Sequence, residues 1–246
     1  MSLQQSEAFI LRSFNVGEQD KIVVLFSRDK GVLKGVAKGA RKFGNRFGSS
    51  LEPMSLVKIF YYEKERKELL TISNCDLIES FFEIQKDLKI NFTLSYFAEL
   101  VEEFFPSGAK EDILFRLLRA VLLAIKNKGD LNFLIAYFET WVLKINGLLP
   151  ALSVCKKCHK KITSFAWLSP KKDGIYCQQC ADYKKEKISS KANKLILWIQ
   201  KNPPGHIKNF PFTSTEIKDL RKVLEEIIVF NLEKEPKTLR YLDKSL

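Results

Sequence analysis

The chain has 246 residues, of which 46% are hydrophobic, and it carries a formal net charge of +12 at pH 7. This length and apolar content predict a globular protein with a well-buried core and exclude a disordered basic tail. The sequence has no apolar run of about 18 residues and no N-terminal basic segment followed by an apolar one, so we expect neither a membrane span nor a secretory signal, and hence a cytoplasmic location.

The positive charge is concentrated in two segments. Residues 28–48 carry seven basic side chains against Asp29 alone, and residues 155–194 carry eleven basic and three acidic side chains. Residues 81–154 are nearly neutral, with eight basic and nine acidic side chains. Two basic segments around a neutral middle indicate a polyanionic partner such as nucleic acid; the alternative is a lysine-rich surface that serves solubility alone.

Residues 1–80 have the pattern of a β-domain. Short segments rich in Val, Ile, Phe and Tyr are separated by turn residues, and they read EAFILRSFNVGE, DKIVVLFSRDKG, GVLKGVAKGA, SLVKIFYYEKE and ELLTISNCDLIES. Such segments predict strands. Five strands in so short a stretch predict a small closed barrel of the OB type.

The stretch GVLKGVAKGARKFGNRFG, residues 31–48, holds five of the eleven glycines. Its spacing is close to the GxxxG helix-packing motif, but each glycine would weaken a soluble helix by about 0.8–1 kcal/mol. We therefore predict a tightly curved barrel strand over 31–38, whose small residues share one face, and a basic loop over 39–48.

This loop interleaves cations with Phe43 and Phe47. Proteins that bind single strands combine cations that follow the phosphates with rings on which bases stack. The alternative is that the two rings belong to the core and anchor the loop. The candidate DNA-binding residues are Arg28, Lys30, Lys34, Lys38, Arg41, Lys42, Arg46, Phe43 and Phe47.

From residue 82 onward, apolar residues recur with the spacing of an α-helix. Three helices are predicted by LKINFTLSYFAELVEEFF, DILFRLLRAVLLAIKNKGD and LNFLIAYFETWVLKING. Two more follow near the C-terminus, SSKANKLILWIQK and TSTEIKDLRKVLEEIIVFNLEK, and Thr213 and Glu216 have the spacing of a capping box at the start of the last.

Four of the five cysteines form two C-x-x-C pairs: Cys155, Cys158, Cys177 and Cys180. Their spacing is that of a four-thiolate zinc site, in which two turns joined by a hairpin complete a tetrahedron. Four thiolates leave no open position, so the predicted zinc ion is structural. We expect Cys75, the fifth, to be a small buried apolar residue.

Motifs for catalysis are missing from the sequence. It contains no G-x-x-x-x-G-K-[ST] loop and no G-x-S-x-G, and only two histidines, His159 and His206. A binding protein is therefore favoured over an enzyme. A carboxylate metal site of the nuclease kind is left open, although no residue pattern points to one.

Several short runs of the sequence occur, in the same order, in one known family. They are Gly-Glu-x-Asp at 17–20, Leu-Phe-Ser-x-x-x-Gly at 25–31, Ala-Lys-Gly-Ala-Arg at 37–41, Leu-x-Pro at 51–53, YFETWVLKINGLLPALSVCKKC and DGIYCQQC. In these runs the chain resembles the RecO family of bacterial recombination mediators. The similarity spans roughly residues 10–180, and the remaining C-terminal part agrees in helical character only.

The resemblance implies an OB-fold, a helical domain and, in many members, a structural zinc ribbon. It implies binding of single- and double-stranded DNA and annealing of complementary strands without ATP, close to the nucleoid. It also implies work with RecR, and in some lineages RecF, to load RecA onto DNA coated by single-stranded-DNA-binding protein.

The resemblance also assigns residues. It places DNA binding on Lys38 and Arg41, and charge extends this to Lys34, Lys42 and Arg46. A docking pocket for the acidic tail of the single-stranded-DNA-binding protein is implied in the helical domain, where Arg116 and Arg119 are the candidates.

We therefore predict an α+β, multi-domain protein. It would have an OB-fold barrel over 1–80, a helical domain over 81–151, a zinc ribbon over 152–183 and C-terminal helices over 184–246 that pack on the helical domain. The alternative function is a zinc-ribbon protein that binds RNA or assists translation.

Overall fold

The structure, a computed structural model, describes residues 2–63, 69–206 and 210–245, with side chains up to Leu242. The chain divides after Phe115 into two compact units. Strands dominate the first unit, and helices with a cysteine-bearing ribbon dominate the second. The α+β fold class predicted from the sequence is therefore confirmed.

Five strands form a closed barrel in the first unit: β1 (Leu3–Val16), β2 (Asp20–Ser27), β3 (Gly31–Ala37), β4 (Leu56–Tyr62) and β5 (Leu70–Glu79). Their order around the barrel is β1-β2-β3-β5-β4, and β4 closes against β1. All neighbours are antiparallel except β3 and β5, which are parallel. This is the five-stranded barrel that the sequence predicted.

Small residues on β3 allow the barrel to close. Gly35 and Ala37 are buried, while Lys34, which precedes them, is exposed. A Cβ atom added at Gly35 would lie 2.9 Å from Cγ1 of Ile72 on β5. The parallel pairing of β3 with β5 therefore depends on glycine at this position.

Helix α1 (Leu88–Phe104) completes the first unit and follows a single 3-10 turn at Glu83–Lys86. The Asp87 carboxylate caps α1 by accepting from its first backbone nitrogens. Arg12 on β1 forms an ion pair with Glu102 near the end of the helix. The cap stabilises the start of the helix, and the ion pair fastens α1 to the barrel.

The second unit contains most of the helices. They are α2 (Asp112–Lys126), which begins within the first unit, α3 (Leu131–Ile145), α4 (Ser190–Lys201), α5 (Ser214–Leu232) and α6 (Leu239–Ser245). The predicted capping box of α5 is confirmed, because Thr213 and Glu216 exchange side-chain to backbone hydrogen bonds. Among the described residues, none of the helices is long and apolar enough to cross a bilayer.

Helix α5 packs along α3, and α4 contacts both. Arg221 of α5 is buried and donates to Glu225 at 2.6 Å and to Asn132 of α3 at 3.3 Å. Helix α6 was not predicted, because it is one short segment held by buried Leu239 and Leu242 and not by a repeating apolar stripe.

A three-stranded sheet forms the ribbon: β6 (Phe165–Leu168), β7 (Ile175–Tyr176) and β8 (Lys187–Ser189), in the order β7-β6-β8. Strands β6 and β7 are the hairpin between the two cysteine pairs. Strand β8 extends the sheet beyond residue 183, where the sequence placed the end of the ribbon. The segment 81–151, which the sequence grouped as one helical domain, spans the division between the two units.

Candidate nucleic-acid interface and metal centre

The basic loop after β3 is anchored to the turn between β1 and β2. The backbone nitrogen of Gly39 donates to the Asp20 carboxylate at 2.8 Å. Arg41 donates from its backbone nitrogen to the Gln19 carbonyl at 2.9 Å and from Nη1 to the Gly17 carbonyl at 2.8 Å. These three hydrogen bonds set the direction in which the loop leaves the barrel.

A second group of contacts fastens the far end of the loop. Oδ1 of Asn45 accepts from the backbone nitrogens of Phe47 at 2.9 Å and Gly48 at 3.1 Å, which forms a side-chain turn. Arg46 donates from Nε to the Ser73 carbonyl on β5, and its guanidinium lies 4.6 Å from the centre of the Phe47 ring. The loop is therefore a series of hydrogen-bonded turns.

The two phenylalanines of the loop lie in opposite environments. Phe43 has a relative exposure of 108%, whereas Phe47 is 3% exposed and packs with the barrel core. A buried ring offers no face to a nucleobase, so the stacking role assigned to Phe47 from sequence is corrected: this ring anchors the loop. Phe43 keeps a ring that is open to a partner.

Five cations lie on β3 and the loop, and all are exposed: Lys34, Lys38, Arg41, Lys42 and Arg46. In the described part of the chain, none of them forms an ion pair. Their charge is therefore available to a polyanion. The structure thus brings five of the predicted cations and one predicted ring onto a single strand-loop segment.

Arg28 and Lys30 lie elsewhere, in the turn that precedes β3. Their partners are carboxylates: Glu7 at 3.0 Å and Asp112 at 2.8 Å for Arg28, and Glu63 at 2.6 Å for Lys30. This turn is at the opposite end of β3 from Lys38, a separation of about 20 Å for a strand of this length. The structure does not bring these two cations together with the loop.

The four cysteines of the predicted metal site converge in the second unit: Cys155, Cys158, Cys177 and Cys180. Their Sγ atoms all lie within 4.8 Å of one another, and those of Cys158 and Cys177 are 3.7 Å apart. Sulfur ligands at 2.3 Å from a tetrahedral ion would be about 3.8 Å apart. The cluster can therefore hold one metal ion.

Each cysteine pair is a tight turn. The backbone nitrogen of Cys155 donates to the Lys160 carbonyl at 2.9 Å, and that of His159 donates to the Cys155 carbonyl at 2.9 Å. In the second pair, the Cys180 nitrogen donates to the Cys177 carbonyl at 3.0 Å. His159 has a left-handed backbone, with φ of 57°, and completes the first turn. These bonds aim two sulfur atoms from each turn at one point.

The thiol pKa values show why the cluster suits a cation. Burial raises the pKa of Cys155, but backbone hydrogen bonds from Cys158, Cys177 and Lys157 outweigh it and lower that pKa to about 6. The pKa of Cys180 is raised to about 12, chiefly by its hydrogen bond with Cys177. Four sulfurs this close cannot all ionise by themselves, whereas a divalent cation stabilises four thiolates together.

The lysines near the cluster differ in accessibility. Lys172 is buried, and its Nζ lies 3.0 Å from Glu226 and 3.4 Å from Glu186. Lys156 pairs with Asp173, and this contact lowers the pKa of Asp173. The exposed lysines of this region include Lys157, Lys160, Lys161 and Lys171.

Arg116 and Arg119, the candidates for binding an acidic tail, are exposed on α2. Leu117 and Leu118 between them are buried, so the two arginines border the apolar side of the helix. This position is compatible with an acidic ligand.

Two features of these sites were missed by sequence reasoning. The first is the anchoring role of Gly17 and Asp20, whose signal was the Gly-Glu-x-Asp run itself. The second is a pair of tyrosines, Tyr176 and Tyr183, that line a groove beside the cluster. Their position on either side of the second cysteine pair was the available signal.

The whole chain is similar to known proteins. A family model described as Recombination protein O N terminal matches residues 1–81, and one described as Recombination protein O C terminal matches residues 85–240. The DNA repair protein RecO of Koribacter versatilis is 32% identical over 98% of this chain and 99% of the relative. The protein of the same name from Dehalococcoides mccartyi strain 195 is 30% identical over 97% and 94%. That of Pelotomaculum thermopropionicum is 29% identical over 99% and 95%.

Proposed function

The chain belongs to the RecO family of DNA repair proteins, and from this premise we propose that it binds single- and double-stranded DNA through β3 and its loop. In this role it anneals complementary strands without ATP. It also helps to load RecA onto DNA coated by single-stranded-DNA-binding protein, together with RecR and, as in some lineages, RecF. Such a protein would work at the nucleoid.

One observation carries this proposal. The loop presents the fully exposed ring of Phe43 among five exposed cations, and hydrogen bonds to the β1–β2 turn and to β5 hold it in place. An exposed aromatic ring costs hydration free energy unless a partner covers it. A nucleobase is the partner that suits a ring surrounded in sequence by cations.

The proposed mechanism is charge neutralisation. Two DNA strands repel each other through their phosphates, and a protein that neutralises phosphates on both lowers the barrier to pairing. If the cations Lys34, Lys38, Arg41, Lys42 and Arg46 each contact one phosphate of a single strand, log K should fall with log salt at a slope of about −3.5. The residues act by binding, and the proposal assigns no catalytic group.

We propose that the ion in the cysteine cluster is zinc. Cys155, Cys158, Cys177 and Cys180 would fill its four positions, so the ion would crosslink the two turns and leave no site for substrate. Binding of this kind contributes on the order of 10 kcal/mol to the folding of small zinc modules. The ion would therefore hold the ribbon in shape.

For the acidic tail of the single-stranded-DNA-binding protein, we propose a site on α2 that includes Arg116 and Arg119. Both arginines are exposed, whereas the apolar residues beside them are buried, so an acidic segment would bind there through the two positive charges. A tail peptide should bind the wild-type chain and bind more weakly to Arg116→Ala/Arg119→Ala.

Annealing of two complementary oligonucleotides without ATP tests the proposal. The chain should accelerate duplex formation, and Lys38→Ala/Lys42→Ala should slow it. Competition between single-stranded DNA and RNA of the same sequence addresses the alternative, a zinc-ribbon factor for RNA, which a preference for RNA would support. Product gels with and without divalent metal address a nuclease, which strand cleavage would support.

A further inference from the structure

A groove lies beside the cysteine cluster on the ribbon. Its volume is 450 Å³, and its lining includes Lys156, Lys157, Pro170, Tyr176, Asp182 and Tyr183. Pockets for small ligands cover about 300–1,000 Å³, so a ligand of nucleotide size can enter. All of these lining residues belong to the second unit.

Two tyrosines give the groove its aromatic surface. Tyr176 ends β7, where it pairs with Trp167 of β6, so its backbone is fixed by the sheet. Tyr183 follows the second cysteine pair and is 43% exposed. Rings of this kind stack on any base, since every base has a π-face.

Positive charge surrounds these rings. Lys157 is exposed and, among the residues that the structure describes, has no ion-pair partner, whereas Lys156 is paired with Asp173. Residues 155–194 carry eleven basic and three acidic side chains. The segment therefore stays positive even when four thiolates and a divalent ion add a charge of about −2. An occupant that is anionic overall is favoured.

Asp182 restricts the kind of ligand that can bind in the groove. A carboxylate in the groove repels phosphate, but it accepts hydrogen bonds from the amino and ring N–H groups of nucleobases. The ligand must therefore be anionic overall and must donate hydrogen bonds to Asp182. A single strand meets both requirements when a base enters the groove and the adjacent phosphates contact Lys157. An acidic peptide would bring its own carboxylates toward Asp182, and a duplex keeps its bases stacked within itself.

We propose that this groove is a second single-strand binding site, in which an unpaired base packs on Tyr176 and Tyr183 and its flanking phosphates contact Lys157. The inference rests on the proposed DNA-binding function and adds a base-dependent contact on the ribbon. It distinguishes the ribbon from a purely electrostatic surface, because an electrostatic surface would bind a strand with or without bases.

The test compares two ligands on the metal-loaded, full-length chain: an oligonucleotide of mixed sequence and an abasic strand of the same length. Tyr183→Ala should weaken binding of the first by about fivefold or more, the loss expected for one stacked base, and leave the second unchanged. Tyr183→Phe keeps the ring and should bind like wild type. An equal effect of Tyr183→Ala on both ligands, or no effect on either, would overturn the inference.

Further measurements separate the possible failures. Photocrosslinking of the wild-type chain to a strand with 5-iododeoxyuridine needs no variant, and adducts should map to Tyr176 or Tyr183. Adducts at other residues only would contradict the site.

If Lys38→Ala/Lys42→Ala weakens DNA binding while Tyr183→Ala does not, the proposal for the groove is wrong and the proposed function stands. If the wild-type chain binds no DNA, both fail. If oligoglutamate binds to the groove and DNA does not displace it, the site is a peptide site and the inference is wrong.

Discussion

The carboxylate of Asp20 accepts a hydrogen bond from the backbone nitrogen of Gly39 at 2.8 Å. This contact joins two runs that are characteristic of the RecO resemblance, Gly-Glu-x-Asp at 17–20 and Ala-Lys-Gly-Ala-Arg at 37–41. Arg41 strengthens the connection by donating to the Gly17 carbonyl. The first run therefore supports the loop, and its acidic residues need not contact a ligand.

The substitution Asp20→Ala tests whether Asp20 affects DNA binding by holding the loop in place or only through its negative charge. The substitution removes a negative charge next to the proposed DNA-binding loop, so charge alone predicts tighter binding of single-stranded DNA. Loss of the Gly39 anchor predicts weaker binding, by about fivefold if roughly 1 kcal/mol of ordering is lost. Fluorescence anisotropy at fixed salt measures the difference.

Glu18→Ala is the matched control, because Glu18 lies in the same turn, is exposed and carries the same charge. It should leave the affinity unchanged or raise it slightly. Equal increases for Asp20→Ala and Glu18→Ala would show that the hydrogen bond to Gly39 does not matter for binding.

The salt dependence of binding tests which cations contact DNA. Lys38→Ala/Lys42→Ala should reduce the steepness of log K against log salt for a single strand by about 1.4, since each lost phosphate contact removes about 0.7. Arg28→Ala/Lys30→Ala removes the same formal charge from the other end of β3, where carboxylates already pair with it. That variant should keep the wild-type slope. If Arg28→Ala/Lys30→Ala reduced the slope and Lys38→Ala/Lys42→Ala did not, the DNA-binding surface would lie at the turn before β3.

The barrel and the cysteine cluster could be predicted because their signals are local. Alternating apolar residues and turn residues define each strand, and the C-x-x-C spacing defines each half of the metal site. The accessibility of Arg28, Lys30 and Lys172 could not be predicted, because their carboxylate partners are distant in sequence. Asp112, for example, lies 84 residues from Arg28.

The orientations of the two phenylalanine rings in the loop likewise could not be predicted from the sequence. Phe43 and Phe47 each follow a basic residue and precede a glycine, so their sequence contexts are nearly identical. The Asn45 turn between them directs one ring outward and the other inward. This direction depends on the path of the backbone, which the residue pattern does not specify.

Alanine at each ring separates binding from stability. Phe47→Ala should lower the free energy of unfolding by about 3–5 kcal/mol, because it leaves a cavity in the barrel core. Phe43→Ala should leave stability unchanged and lower the affinity for single-stranded DNA by about 1–3 kcal/mol, the value of one stacked base. Denaturant unfolding and anisotropy titrations measure the two quantities. A loss of binding for Phe47→Ala without a loss of stability would contradict this division.

Lys172 is predicted to stabilise the fold and to contribute nothing to DNA binding. Its Nζ lies within reach of Glu186, whose side chain is 12% exposed, and of Glu226 on α5. Lys172→Met removes the buried cation beside Glu186 and leaves that carboxylate only its contact with the exposed Lys185 at 3.7 Å, which should cost up to about 3 kcal/mol, the value for breaking a buried pair. Lys171→Met, one residue earlier and exposed, should change stability by less than about 0.5 kcal/mol. Thermal unfolding of the two variants provides the comparison, and equal melting temperatures would contradict the role of the ion pair.

Removal of the metal should unfold the ribbon and spare the barrel. The wild-type chain should release one zinc ion when its thiols are titrated with a mercurial, and Cys155→Ser should lose this ion because three thiolates bind it far more weakly.

Cys75→Ser is the control for the loss of zinc. Cys75 is buried in the barrel, where burial raises its pKa to about 11, so it is unsuited to bind metal. This variant should keep one ion. Hydrogen exchange on the chelated protein should increase across 152–189 and stay unchanged in β1–β5. Retention of zinc by Cys155→Ser, or its loss from Cys75→Ser, would contradict the assignment of the four ligands.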